Sequence, residues 1–341
     1  MSIPLLIGFM LCLQASAPYP PSDVIAGVEF DFALVDQRAP GSDNWPCTWS
    51  TDGHLYTTWG DGGGFGGTNS EGRVSLGVAR VEGPADHYTG INVWGGVEAE
   101  SRATFGGKSY GILAVGSTLY LWVSPGSGLE NNREARLAMS SDGGRSWELA
   151  DWAFTADQQV ALPAFCQFGP GNTGAPGEYA YLYAPKLLDA QGDLQRPGEV
   201  WLMRVPRDRV MDRSAYEFYG GSGADGRNWS GEIEARQPVF QDPEGVRLLS
   251  VSYHPGLERY LLCTEHTESH RSNLGVFDAP SPWGPWTTVL YEERWGGYDT
   301  AFYWNFPTKW FEANGLGFTL VFTGTRTLDA WNAVPGRFIL R

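Results

Sequence analysis

Cysteine is scarce in this chain, with four in 341 residues. Cys12 falls in an apolar N-terminal run, which leaves Cys47, Cys166 and Cys263. Three thiols close at most one disulfide, and no C-x-x-C pair is present, so neither a disulfide scaffold nor a zinc ribbon is expected. Long apolar runs are missing too. After the first seventeen residues nothing approaches the roughly 18–20 uninterrupted apolar residues that a membrane-spanning helix needs. Positive charge is in the minority, 24 Lys and Arg against 39 Asp and Glu, for a formal charge of −15. Such a field repels nucleic acid, anionic lipid and polyuronates. Helical periodicity is nearly absent, and the best candidate, RDRVMDRSAYEF at 207–218, amounts to one or two turns.

What is present begins with MSIPLLIGFMLCLQASA, a short apolar run ending in the small-x-small pattern of a secretory cleavage site. Residues 1–17 read as a signal peptide and 18–341 as one soluble domain, secreted or periplasmic, monomeric and free of the membrane after cleavage. Along that domain, stretches such as RVSLGVARV (73–81), EVWLMRV (199–205) and FTLVFTG (318–324) are short, β-branched or aromatic, and bounded by Gly, Pro, Asn or Asp. The fold class is therefore all-β. A strand pair joined by a tight turn recurs near 45–59, 109–123, 178–204, 248–263 and 303–323, within reach of propeller blade lengths. Five blades of four strands account for the mature chain as one ring, a five-bladed β-propeller. Two β-sandwiches compete with this reading, but they need a linker, and no Ser/Pro-rich break is found. SSDGGRSW (140–147) resembles the Asp-box turn of sialidases and other propellers, where Asp142 would be structural.

Several motifs fail on context. GGGFGG at 62–67 matches G-x-G-x-x-G, yet a strand-like RVSLGVARV follows where a dinucleotide loop must open a helix. His266 and His270 are four apart, but they follow a strand instead of riding on a helix, so no metal is expected and no cofactor either. The sequon Asn228-Trp229-Ser230 bears on glycosylation only in a eukaryotic source.

High aromatic content beside abundant acids suits neutral sugars, whose apolar faces stack on Trp and Tyr while carboxylates accept hydroxyl hydrogen bonds. The expected partner is a polysaccharide, not nucleic acid. In glycoside hydrolysis two carboxylates flank the scissile bond. Inner strands of a propeller aim their first residues at one central pocket, which nominates Asp43 from blade one and Glu178 from blade three. Asp61 lies beside the glycine loop and would orient or replace Asp43. Glu232 and Glu234 are held in reserve. Glu178, desolvated by Tyr179 and Tyr181, would donate the proton, and Asp43 would activate water or attack the anomeric carbon. Trp45, Trp49, Tyr110, Trp304 and Trp310 form the pool for sugar stacking. Lys108, Tyr253, His254, Asn305 and Lys309 are the further substrate-binding candidates.

The segments DNWPCTWSTDGHLYTTWGDGGGF, LYLWVS with SSDGGRSW, VSYHPGLERYLL, FDAPSPWGPWTTV, and NFPTKWFEANG followed by DAWNAVPGRF together resemble a bacterial domain family long labelled only as a domain of unknown function. Some members are endo-D-arabinanases, glycoside hydrolases that cut D-arabinofuranose chains of mycobacterial cell walls. The resemblance runs from about residue 40 to the C-terminus. It implies a five-bladed propeller with an acidic central pocket, and it implies that Asp43 of the DNW motif is a catalytic carboxylate. Family members often carry an aspartate before the blade-three strand, where this chain has Gly177-Glu178. A non-catalytic carbohydrate-binding propeller is the alternative reading.

Overall fold

The computed structural model describes residues 16–124, 133–160, 162–189, 193–221, 228–324 and 329–341. Most of the expected signal peptide lies outside them. Among the described residues no α-helix forms, only strands and short 3-10 turns, and no helix is long and apolar enough to cross a membrane. The stretch with the best helical pattern folds as two such turns, Arg207–Arg209 and Arg213–Ala215, before a strand at Glu217–Tyr219.

The fold is an all-β propeller. Its strands pair into four sheets, the largest of which divides at its one parallel contact, Cys166↔Val251 and Gln167↔Ser252, into two antiparallel groups. Group one holds Cys47–Trp49, Leu55–Gly60, Leu76–Glu82 and Thr89–Trp94. Group two holds Lys108–Val115, Thr118–Ser124, Glu134–Ser140 and Glu148–Thr155. Group three opens with Ala164–Gln167, Tyr179–Pro185 and Gly198–Pro206, and group four runs from Leu249–His254 to Thr287–Glu292. Group five combines Phe302–Asn305, Gly317–Thr323 and Trp331–Leu340 with Ile25–Phe30 from the other end of the chain.

The first strands of the five groups form a closed ring, and each neighbouring pair is tied by a bond. Thr48 Oγ1 accepts from Ala114 N at 2.8 Å, and Gln167 Nε2 donates to the Ile112 carbonyl at 2.9 Å. The parallel contact joins group three to group four. Ser250 and Ser252 hydroxyls donate to the carbonyls of Trp304 and Phe306, at 2.6 and 2.7 Å. Asn305 Nδ2 closes the circle on the Trp45 carbonyl at 3.2 Å. All five strands run the same way, so the ring has an entry end where they begin and a far end where they finish.

Strand alternation explains why the blades hold together. Successive side chains point to opposite faces, and here both faces meet another blade. From Leu55–Gly60, Leu55 and Trp59 pack toward group five while Tyr56 packs toward group two. From Thr118–Ser124, Tyr120 and Trp122 face group three while Leu119 and Leu121 face group one. This accounts for Leu55–Gly60 and Gly317–Thr323 being buried at every position instead of alternating. The three cysteines are buried thiols with no disulfide between them. The Ser140–Trp147 turn joins the two outer strands of group two, with the Asp142 carboxylate accepting from Arg145 N, Ser146 N and Ser146 Oγ.

Candidate active site

At the entry end of the ring, Asp43 precedes the first strand of group one and bridges to Gly60, each backbone N–H donating to the other's carbonyl at 2.9 and 2.7 Å. Gly60 is required there. A Cβ on it would lie 2.6 Å from Asp43 Oδ1 and 3.2 Å from Lys108 Nζ, so glycine is what lets backbone pass beneath the carboxylate. The next residue, Asn44, takes a left-handed turn with φ of 57°. Its Nδ2 donates to Asp43 Oδ1 at 3.1 Å, and its own N–H donates to Thr323 Oγ1 of group five at 3.0 Å. The Asp43 peptide is thereby clamped between two blades.

Asp61 follows Gly60, also left-handed with φ of 52°. Its carboxylate stands 2.7 Å from Lys108 Nζ and 3.2 Å from the Arg73 guanidinium. Lys108 opens the first strand of group two and is buried, so the ion pair spans two blades. The Asp43 carboxyl is raised from 3.8 to about 7, by burial above all; Lys108 and Arg247 oppose the shift, while Asp329 and Asp61 add to it. Asp329 is itself raised, again by burial first and then by the charge of Asp61. Three aspartates and a lysine thus form one electrostatic unit at the entry end.

A second layer lies just inside. Arg247 and Glu265 are both buried and pair at 3.2 Å; the Glu265 carboxylate also accepts from His270 N at 3.3 Å. The Arg247 charge acts on both Asp43 and Tyr110. Below it Tyr110 and Tyr303 fill the centre, with the Tyr303 hydroxyl donating to the Tyr110 carbonyl. Only about 10 Å³ of free space remains where residues from all five groups meet, so the axis is closed there. The Tyr110 hydroxyl is buried with no hydrogen-bond partner among the described residues. Among the described residues, no three His, Cys, Asp or Glu side chains gather as a metal cage.

Asp43, Asp61, Lys108 and Tyr110 are therefore brought together as expected from the sequence, and the other candidates are not. Glu178 sits at the start of the second strand of group three. That strand pairs antiparallel with the first (Ala164↔Tyr183, Phe165↔Leu182), which puts Glu178 at the far end of the ring. Its side chain is 86 % exposed and paired with Arg207. The four-residue AFCQ is the true inner strand, and the longer YAYLYAP stands one place out. Glu234 lies within a 3-10 turn, Ile233–Ala235, after the outermost strands of group three, and Glu232 immediately precedes that turn.

Trp45 is not a stacking platform: it is fully buried with Trp59 and Trp331, ring centroids 5.8 and 5.4 Å away. Trp304 is likewise core, edge-on to Trp295 at 6.0 Å. Asn305 is spent on closing the ring. Tyr253 and His254 end the first strand of group four, at the far end. His254 is buried on Phe311, accepts from Leu257 N, and is held to about 4 by burial. Trp49 ends the first strand of group one, and Lys309 and Trp310 follow that of group five, so these too belong to the far side. The sequence reading missed Arg73, Arg247, Glu265 and Asp329. Arg247 had a readable signal, since it is a charge just ahead of an inner strand, the placement that singled out Lys108.

A family model described as a domain of unknown function, DUF4185, matches residues 110–300. No curated protein matches. Among solved structures, a putative hydrolase from Bacteroides ovatus superposes with a TM-score of 0.56 at 11% identity, covering 89% of this chain and 87% of that one. The α-L-arabinofuranosidase of Podospora anserina in complex with cellotriose gives 0.51 at 10% identity, with 93% and 98% covered. An exo-β-1,3-galactanase from Phanerochaete chrysosporium with β-1,3-galactotriose gives 0.51 at 13% identity, covering 92% of this chain and 63% of that one. At these identities the likeness is one of fold.

Proposed function

Taking as premise that the chain belongs to the DUF4185 family, we propose that it is a glycoside hydrolase acting outside the cytoplasm on a neutral polysaccharide with arabinofuranose units. The carrying observation is Asp43: a carboxyl lifted to about 7 beside Asp61, Asp329 and Lys108 at the end of the ring where the inner strands begin. A carboxyl near 7 keeps a proton to give at neutral pH, the property a general acid needs. Asp43 therefore protonates the leaving glycosidic oxygen, reversing the role expected for it from the sequence. Asp61, flanked by Lys108 and Arg73, supplies the second carboxylate, which takes a proton from the attacking water or itself attacks the anomeric carbon. Lys108 holds Asp61 in place and counters the negative charge of the cluster. The fold of the arabinofuranosidase and galactanase neighbours supports a sugar substrate, and the −15 charge favours a neutral one.

Incubating the protein with mycobacterial arabinogalactan and a panel of neutral glycans, and following new reducing ends, tests this. The expected result is oligosaccharide release, with kcat/KM falling as pH rises through about 7, where Asp43 loses its proton. Sugar binding without release would leave the non-catalytic reading in its place.

A further inference from the structure

Lys309 and Trp310, displaced from the site in which the sequence had put them, line a cleft of about 840 Å³ between groups five and one, on the side away from Asp43. That volume is within the roughly 300–1,000 Å³ of small-molecule sites. One wall is apolar, formed by Leu34, Pro84, Phe311 and Pro335. Leu34 is 63% exposed, a large aliphatic group held toward water with no structural partner for most of its surface. Phe311 is half-buried, backed by His254 at a centroid distance of 4.2 Å that fixes its ring.

The polar wall carries one unspent donor, Lys309. Trp310 beside it is 4% exposed and packs into the core with Trp331, so it closes the floor of the cleft without offering its Nε1. Lys309 forms no ion pair within the described residues; Asp52 and Glu82 act on its charge from further off, and burial lowers its pKa. Asp86 and Glu312 bring acceptors to the lining of the same cleft. Arg38 is already neutralised by Asp36 at 2.7 Å and by the Tyr88 ring. The cleft thus offers no net positive field for a polyanion. It offers donors and acceptors side by side against an apolar plate, the pattern that a polyhydroxyl ring satisfies.

We propose that this cleft is a second, non-catalytic binding site for a neutral glycan strand, in which Phe311 and Leu34 carry a sugar face, Lys309 donates to its hydroxyls, and Asp86 and Glu312 accept from them. The proposal rests on the glycosidase reading for the kind of ligand. A strand held on the face opposite Asp43 raises the local concentration of polymer around the enzyme without touching the reacting bond.

Affinity electrophoresis in gels containing mycobacterial arabinogalactan reads this directly, using Asp43→Asn protein so that the matrix survives. Lys309→Ala and Leu34→Ala, each added to Asp43→Asn, are expected to weaken retention at least fivefold with unchanged melting temperature. In the otherwise native enzyme the same changes should raise KM for polymer several-fold and leave turnover of short oligosaccharides within twofold. Retention equal to that of Asp43→Asn alone would overturn the proposal, as would retention confined to a polyuronate gel and abolished by salt. Should the native enzyme release no sugar while cleft variants still lose retention, the hydrolase reading fails and the cleft stands. Release with cleft-independent retention is the reverse case.

Discussion

The Asp43 carboxyl is held at about 7 against an ordinary 3.8, mainly by burial, and that has a stability consequence separate from catalysis. Between roughly pH 4 and 7 the folded protein keeps a proton that the unfolded chain has already released, so native stability falls as pH rises through that interval. Asp43→Asn removes the penalty. The variant should be more stable than the native protein at pH 8, by about 1–3 kcal/mol once partial exposure is allowed for, and no more stable at pH 3.5. Calorimetry at the two pH values decides it; equal gains at both would mean that ionisation is not the cause. Gly60 supports the same site by what it lacks. Gly60→Ala places a methyl 2.6 Å from Asp43 Oδ1 and should cut turnover about 100-fold or more, while circular dichroism shows an intact fold. Unchanged activity would show that the carboxylate does not need the position seen here.

The elements show why some of this architecture was legible in the sequence and some was not. Strands such as Lys108–Val115 and Gly317–Thr323 announce themselves as β-rich runs between turn residues, and pairing adjacent runs gives the blades. Ala164–Gln167 does not: a four-residue strand in the short stretch between Pro163 and the Gly-Pro of the next turn is too brief to carry a pattern. Without that strand, the next one reads as the inner strand, which turns Glu178 toward the wrong end of the ring. The tryptophans misled for a related reason. When both faces of a strand are buried, alternation no longer separates core from pocket, so Trp45 and Trp304 could not be told from a sugar platform. Asp43, Asp61 and Lys108 were readable because each sits where a strand meets the entry end. Arg247 carried the same signal just ahead of Leu249–His254, whereas Asp329 reaches them only through the closed ring, a long-range fact. The joints of that ring are testable individually. Thr48→Val keeps the shape but leaves Ala114 N unpaired in the interior, and should lower stability by about 1–3 kcal/mol in denaturant titration. A loss of a few tenths would place the ring's cohesion in apolar packing alone.

At the scale of the whole molecule, the chain closes on itself: Ile25–Phe30 pairs with Trp331–Leu340, so the first and last segments share group five. Closure fixes the angular position of every inner strand and so brings residues as far apart in sequence as Asp43, Lys108, Arg247 and Asp329 to one face. The account stands on the acid pair of that face, the buried Asp43 and the part-exposed Asp61. The most direct measurement compares turnover of Asp43→Asn, Asp61→Asn and Glu178→Gln on whichever neutral glycan the native protein cleaves. The account predicts losses of about 1,000-fold or more for each of the first two and less than twofold for the third. Full activity in Asp43→Asn, or a collapse in Glu178→Gln, would contradict it.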